Sequence, residues 1–302
     1  MAEPTADDAD PAPLAGVRGA TATGTASPST DLVAAASRAI GIDIGGTGVK
    51  AGVVDLELGE LISPRVRRPT PQPSTPDAVL DVVAVVIDEL IEGGWATYGM
   101  PAGCGLPGVV KYGRLTTAAN IDPGWVNAPV QQMLADRLGR PVVIGNDADV
   151  AGMAELVFGA ARGQMGTVLM LTLGTGIGSA LFVDARLVPN TEFGHLQFHG
   201  KDAEKLLSAT ARERRGLSWK RWARDFNDYL AQVELYFGPD LIILGGGGSK
   251  VYAKYMGYLT TRAPIVTARL LNSAGIVGAA MLGQAAAEQG TASLPAMEST
   301  TD

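Results

Sequence analysis

The sequence predicts an α/β fold of two lobes with mixed sheets and a ligand cleft between them. Three observations carry that prediction. A strand, a glycine turn and a second strand follow one another at Asp43-Ile44-Gly45-Gly46-Thr47-Gly48, and the arrangement returns at Leu173-Gly174-Thr175-Gly176-Ile177-Gly178. Helical and strand periodicities alternate along the chain, the pattern of layered α/β domains. A third glycine loop, Leu244-Gly245-Gly246-Gly247-Gly248, also follows a short apolar run. Strands that end in glycine turns present open backbone N–H groups, which seat phosphate oxygens. Glycine also lets a ligand reach the backbone without meeting a Cβ. Three such loops suggest two lobes closing on one phosphorylated ligand; three ordinary tight turns are the plainer reading.

The elements follow in order. Arg38–Asp43 and Val49–Asp55 read as strands flanking the first turn, and Glu60–Arg67 as a third strand completing an antiparallel meander. Thr75–Gly93 has a Pro-Asp start, apolar residues at helical spacing and a Gly93-Gly94 stop, so it reads as a helix. Val130–Leu138 is a helix, Pro141–Gly145 a strand, and Ala148–Phe158 a helix again. Thr167–Leu173 and Ser179–Val183 are the second strand pair, Trp219–Phe237 a long helix, Leu241–Leu244 a buried strand and Ile276–Ala287 a closing helix. Residues 38–142 are expected to form the small lobe and 143–274 the large one, with a helix at 275–288 packing back on the first. Residues 1–37 and 289–302 lack a sustained apolar period and are expected to be disordered extensions.

The 302 residues supply ample core, and the longest apolar runs, such as Val82–Ile87, are far too short to span a bilayer. A single cysteine, Cys104, excludes an internal disulfide and suits a reducing cytoplasm; it reads as a small packing residue beside a loop. No secretory signal pattern opens the chain. The net charge of −7 gives no global field for nucleic acid. One segment departs from that balance: Lys201, Lys205, Arg212, Arg214, Arg215, Lys220, Arg221 and Arg224 face only Asp202, Glu204 and Glu213.

Five motifs, Asp43-Ile44-Gly45-Gly46-Thr47, Gly145-Asn146-Asp147-Ala148, Leu173-Gly174-Thr175-Gly176-Ile177-Gly178, Glu192-Phe193-Gly194-His195 and Leu244-Gly245-Gly246-Gly247, stand in the order seen in the ROK sugar kinases. The resemblance spans about Ala39 to Ala287 and implies the actin-like ATPase/hexokinase (ribonuclease H-like) fold. Within the family the chain looks most similar to the actinobacterial polyphosphate glucokinases, through Asn190-Thr191-Glu192, Leu217-Ser218-Trp219-Lys220 and Leu271-Asn272-Ser273-Ala274-Gly275. The implied reaction is phosphorylation of the 6-hydroxyl of glucose, with mannose a further candidate acceptor, from polyphosphate and ATP. A cytoplasmic homodimer is the implied form.

A sugar hydroxyl is a poor nucleophile, and a carboxylate at a strand end beside the cleft can accept its proton. Asp147 is the candidate base; the alternative is that it caps the helix beginning at Ala148. Asn146 would orient sugar or base. The resemblance gives Asp43 the task of organising Mg²⁺ through water, while Gly45, Gly46 and Thr47 cradle the transferring phosphoryl group. Lys50 either adds charge there or is solvated. Gly174, Thr175, Gly176 and Gly178 would form the opposing clamp, and Gly245, Gly246 and Gly247 would line the adenosine side. Glu192 and His195 would grip sugar hydroxyls, with Asn120 and Asp122 completing the ring; a structural histidine is the alternative for His195.

Typical relatives hold zinc with three cysteines and the Gly-His histidine, but no cysteine lies between His195 and Arg224, so no zinc is expected. Gln197 also departs from the carboxylate of the relatives. The basic run stands in place of the cysteines and would guide a polyphosphate chain by counterion release, unless it is a solvated helix face. ROK repressors need an N-terminal helix-turn-helix, for which residues 1–37 are too short, acidic and Pro-rich. A strictly ATP-dependent glucokinase or N-acylhexosamine kinase is the nearer alternative.

Overall fold

The computed structural model describes residues 37–118 and 121–290. The expected extension up to residue 36, the tail after 290 and the candidate Asn120 lie outside the described residues.

Two sheets share one topology. In the first, β1 (Arg38–Gly45) pairs antiparallel with β2 (Gly48–Asp55), which carries the short β3 (Glu60–Leu61) and β4 (Val66–Arg68). On its other side β1 runs parallel to β5 (Ala102–Leu106), and β5 parallel to β8 (Val143–Asn146), giving the order β3-β2-β1-β5-β8. The second sheet repeats this as β11 (Arg186–Val188), β10 (Ile177–Val183), β9 (Thr167–Leu173), β14 (Leu241–Gly245) and β15 (Ile265–Thr267), with β9, β14 and β15 parallel. Strands β6 (Val110–Lys111) and β7 (Arg114–Leu115) form a small hairpin, as do β12 (Gln197–Phe198) and β13 (Lys201–Asp202).

The helices are α1 (Pro76–Glu92), α2 (Val130–Leu138), α3 (Asp147–Val157), α4 (Glu204–Leu207), α5 (Ala209–Arg214), α6 (Trp219–Phe237), α7 (Gly246–Ser249) and α8 (Ala274–Glu288). Helix α1 buries Val79, Leu80, Val83, Val86, Ile87 and Leu90 against the first sheet, the face its 3.6-residue spacing marks. Helix α6 buries Trp222, Phe226, Tyr229, Leu230 and Val233 on the second sheet. Among the described residues no helix is long and apolar enough to cross a membrane.

Three sequence expectations change. The segment expected as one strand from Glu60 to Arg67 is two, β3 and β4, separated at Ser63-Pro64, where proline has no N–H to offer a ladder. Cys104 lies not beside a loop but within β5, fully buried, and burial pushes its thiol well above the usual range. Strand β8, expected to open the large lobe, completes the first sheet through its parallel pairing with β5.

Helix α8 returns to the first sheet over a floor of missing side chains. A Cβ on Gly41 would stand 1.8 Å from the Ile276 carbonyl oxygen, and one on Gly103 would stand 2.0 Å from that of Ala279. The two glycines are register partners on β1 and β5. Gly278 lies equally close to α3, where a Cβ would fall 1.7 Å from the Val150 oxygen. The helix therefore packs backbone to backbone and brings its N-terminus to the end of β1.

Candidate active site

The carboxyl ends of β1, β5, β8, β9 and β14 converge on one cleft of about 600 Å³, as expected for open α/β sheets. Its walls include Asp43, Gly45, Gly46, Thr47 and Lys50 from the first turn, and Pro107 and Gly108 after β5. Asn146 and Asp147 come from the end of β8, Gly174, Thr175, Gly176 and Gly178 from the second turn, and Glu192 from the loop after β11. Residues the sequence reading had not assigned also contribute, among them Thr172, Asn272 and Gly275.

The capping question is settled by geometry. Asn146 is the N-cap of α3, its side-chain oxygen accepting from the Asp149 N–H at 2.9 Å. Asp147 is the first residue of the helix, with Oδ1 accepting from the Ala148 N–H at 2.8 Å. Burial pushes the Asp147 carboxyl up to about 7, and the Asp43 charge adds to that push. The Ala148 N–H bond pulls the other way but does not win. A carboxyl held near neutrality in a cleft can exchange a proton at working pH.

Asp43 accepts an ion pair from Lys50 Nζ at 2.6 Å, so Lys50 is tethered rather than solvated. A Cβ at Gly275 would meet the Asp43 carboxyl carbon at 3.2 Å, so this glycine in the first turn of α8 leaves the carboxylate its space. Thr70 holds the turn by donating from Oγ1 to the Gly45 carbonyl at 2.5 Å, and Arg67 Nη2 donates to the Thr47 carbonyl at 3.3 Å. Neither was anticipated, because both act through main-chain oxygens at long sequence separation. Asp43 and Asp147 supply hard oxygen donors close enough to interact electrostatically, which suits Mg²⁺, a cation that takes one or two carboxylates and completes its shell with water and phosphate.

Glu192 faces Asn146, whose Nδ2 lies 3.4 Å from Oε1 and also donates to the Gly108 carbonyl at 3.1 Å. Burial raises the Glu192 carboxyl above its usual range, while His195 pulls it down. His195 stands outside the cleft wall, half-exposed, 4.0 Å from Glu192 Oε2 and 3.5 Å from Asp202 Oδ2. The hairpin register pairs Gln197 with Asp202, and Gln197 Nε2 donates to Asp202 Oδ1 at 3.0 Å. The amide at position 197 thus faces a carboxylate across the hairpin.

Other candidates fall elsewhere. Asp122 is not among the cleft walls; it caps the short turn Pro123–Trp125 by accepting from the Gly124 N–H at 2.7 Å. Of Gly245, Gly246 and Gly247, only Gly246 reaches the cleft, with φ of 69°. Gly248 sits against Leu173, where a Cβ would come within 2.6 Å of that side chain's Cβ, so packing accounts for it. Much of the basic run is consumed locally. Lys205 pairs with Asp202 at 2.8 Å, and Arg212 stacks 4.0 Å from the centre of the Trp219 ring. Arg214 and Arg215 donate to the carbonyls of Lys205 and Leu206.

Asp149 went unnoticed in the sequence, since a second acid in Asn-Asp-Ala-Asp resembles ordinary helix-start chemistry. It is buried, its Oδ2 accepts from the Asn190 N–H at 2.7 Å, and burial pushes it up to about 7.

The chain is similar to known proteins over most of its length. The ROK family model matches residues 39–205. A polyphosphate glucokinase of Mycobacterium tuberculosis is 42% identical over 262 residues, covering 86% of this chain and 97% of its own. The crystal structure of an inorganic polyphosphate/ATP-glucomannokinase from Arthrobacter sp. strain KM is 51% identical with a TM-score of 0.79, covering 81% of this chain and 97% of that one. A ROK family glucokinase from Streptomyces griseus, solved with glucose and AMPPNP, is 27% identical with a TM-score of 0.71, covering 82% and 99%. With its motifs gathered around one interlobe cleft and its likeness to these enzymes running through most of its length, the chain belongs to the ROK family.

Proposed function

We propose that the chain phosphorylates glucose at the 6-hydroxyl, using inorganic polyphosphate and ATP as donors. The observation that carries this reading is Asp147, a carboxyl pushed up to about 7 between the Asp43 turn and Glu192. In its ionised form it accepts the hydroxyl proton as the oxygen approaches phosphorus. The acceptor hydroxyls pair with Glu192 and the Asn146 amide, with His195 at the rim. Pairing is needed because each unpaired polar group buried with the sugar costs roughly 1–3 kcal/mol.

The glycine turns at Gly45-Gly46-Thr47 and Gly174–Gly178 supply backbone N–H groups to the transferring phosphoryl and its leaving oxygens. Such groups stabilise charge without reorganising at the moment of reaction. Mg²⁺, held by Asp43 through water with Asp147 nearby, would neutralise phosphate charge when bound. Lobe closure then excludes water as a competing acceptor.

A reading restricted to ATP is favoured by one observation, the local engagement of Lys205, Arg212, Arg214 and Arg215. The polyphosphate reading rests instead on the similarity to polyphosphate-using enzymes and on the exposed Lys201, Lys220, Arg221 and Arg224. An assay of glucose, mannose and N-acetylglucosamine, each with polyphosphate and with ATP, separates them. Glucose is expected to be phosphorylated from both donors; product from ATP alone would favour the second reading.

A further inference from the structure

We propose that Asn190 is a positioning residue that clips the sugar loop of the large lobe to the small lobe, fixing Glu192 before sugar arrives. The inference rests on the sugar-site reading above and names a residue that reading does not use. Asn190 lies at φ of 59°, a left-handed conformation that asparagine tolerates better than most residues. From there its amide pairs with both main-chain groups of Val110. Oδ1 accepts from the Val110 N–H at 2.8 Å, and Nδ2 donates to the Val110 carbonyl at 3.0 Å. The side chain satisfies Val110 as a neighbouring strand would, across 80 residues of sequence.

The same residue is anchored from behind, its own N–H donating to Asp149 Oδ2 at 2.7 Å. One and three residues later the loop is tied again. Ser179 Oγ donates to the Thr191 carbonyl at 2.7 Å and accepts from the Phe193 N–H at 2.9 Å. Glu192 is thus held on both flanks, and Asn146 links it to Gly108, two residues before Val110. Base helix, sugar loop and small-lobe loop meet at Asn190. Removing the clip leaves Asp149, Ser179 and the hydrophobic cores in place, so the loss falls on sugar affinity and not on the donor site.

The test uses N190G, which keeps the left-handed backbone and deletes the amide, and N190D, which keeps the Oδ1 acceptor and deletes the donor. Glucose KM is expected to rise about tenfold in N190G, the scale of a net hydrogen bond, with ATP KM and thermal midpoint nearly unchanged. N190D sets a carboxylate oxygen against the Val110 carbonyl in place of the donor, so its glucose KM should rise at least as far as that of N190G. Amide exchange adds an independent readout: the Val110 N–H should be protected in the parent and in N190D and unprotected in N190G. An unchanged glucose KM in N190G overturns the proposal. So does a joint rise of glucose and ATP KM with a fall in midpoint, which marks a merely structural role. If either variant fails to fold, fast exchange at Val110 in the parent overturns it alone. E192Q, measured alongside, separates the two levels. A normal glucose KM in E192Q defeats the sugar-site reading and the clip with it, whereas a raised value with no effect of N190G defeats the clip only.

Discussion

At the scale of single residues, Asp147 as the proposed base is where stability and chemistry conflict. Its folded carboxyl holds a proton to about 7, well above the 3.8 of a free aspartate. The ionised form therefore costs the fold stability that grows as pH rises from about 4 to about 7. D147N removes that charge, so its thermal midpoint should exceed the parent's by a few degrees at pH 8 and match it near pH 4. Calorimetry at the two pH values checks this, and a lower midpoint at pH 8 would speak against a strained carboxylate. In the proposed mechanism the same proton governs rate. Because the base must be ionised in free enzyme, kcat/KM for glucose should fall about tenfold per pH unit below about 7. A profile flat down to pH 5 would assign the proton transfer elsewhere.

At the scale of elements, the glycines explain both what the sequence revealed and what it hid. The turns at Gly45 and Gly174 were legible because each follows a β-rich run and opens another. Strand β5 was not, because Ala102–Leu106 places glycine at 103 and 105 and holds no β-branched residue. Those glycines are there for α8 and α3: a Cβ on Gly103 would collide with Ala279, and one on Gly105 would come within 3.0 Å of Val150. Tertiary packing erased the local signal. At Asp122 and in the Gly245–Gly248 loop, where only Gly246 lines the cleft, capping and close packing select the same residue types as ligand contact. Asp149 and Asn190 were hidden because their roles exist only between distant segments. The two classes of glycine should separate in experiment. G278A, whose Cβ would fall 1.7 Å from the Val150 oxygen, should be insoluble or lower the midpoint by more than about 10 °C. G174A, whose Cβ meets nothing within 4 Å, should fold normally yet lose phosphoryl transfer, because the methyl enters the cleft.

At the scale of the whole molecule, one sheet topology is used twice, and the ends of its parallel strands face each other across a single cleft. Each lobe brings a glycine turn to the cleft, so in the proposed mechanism neither holds the donor alone. Catalysis by that proposed mechanism depends on the lobes being held in register, which the Asn190–Val110 hydrogen bonds of the loop after β11 and the packing of α8 on β1 and α3 serve. The donor distinction also belongs to this scale. A polyanion bound along exposed Lys and Arg side chains releases counterions, so polyphosphate KM should climb more steeply with salt than ATP KM. Parallel slopes would place both donors on the same few contacts.

The proposed mechanism turns on Asp147 taking the proton from a sugar hydroxyl in this cleft. The most direct measurement is the rate of glucose 6-phosphate formation by D147N beside the parent enzyme, with glucose binding measured on both. The expected result is turnover reduced by roughly 10²–10⁴-fold with glucose affinity nearly unchanged. Turnover within a few-fold of the parent would contradict it.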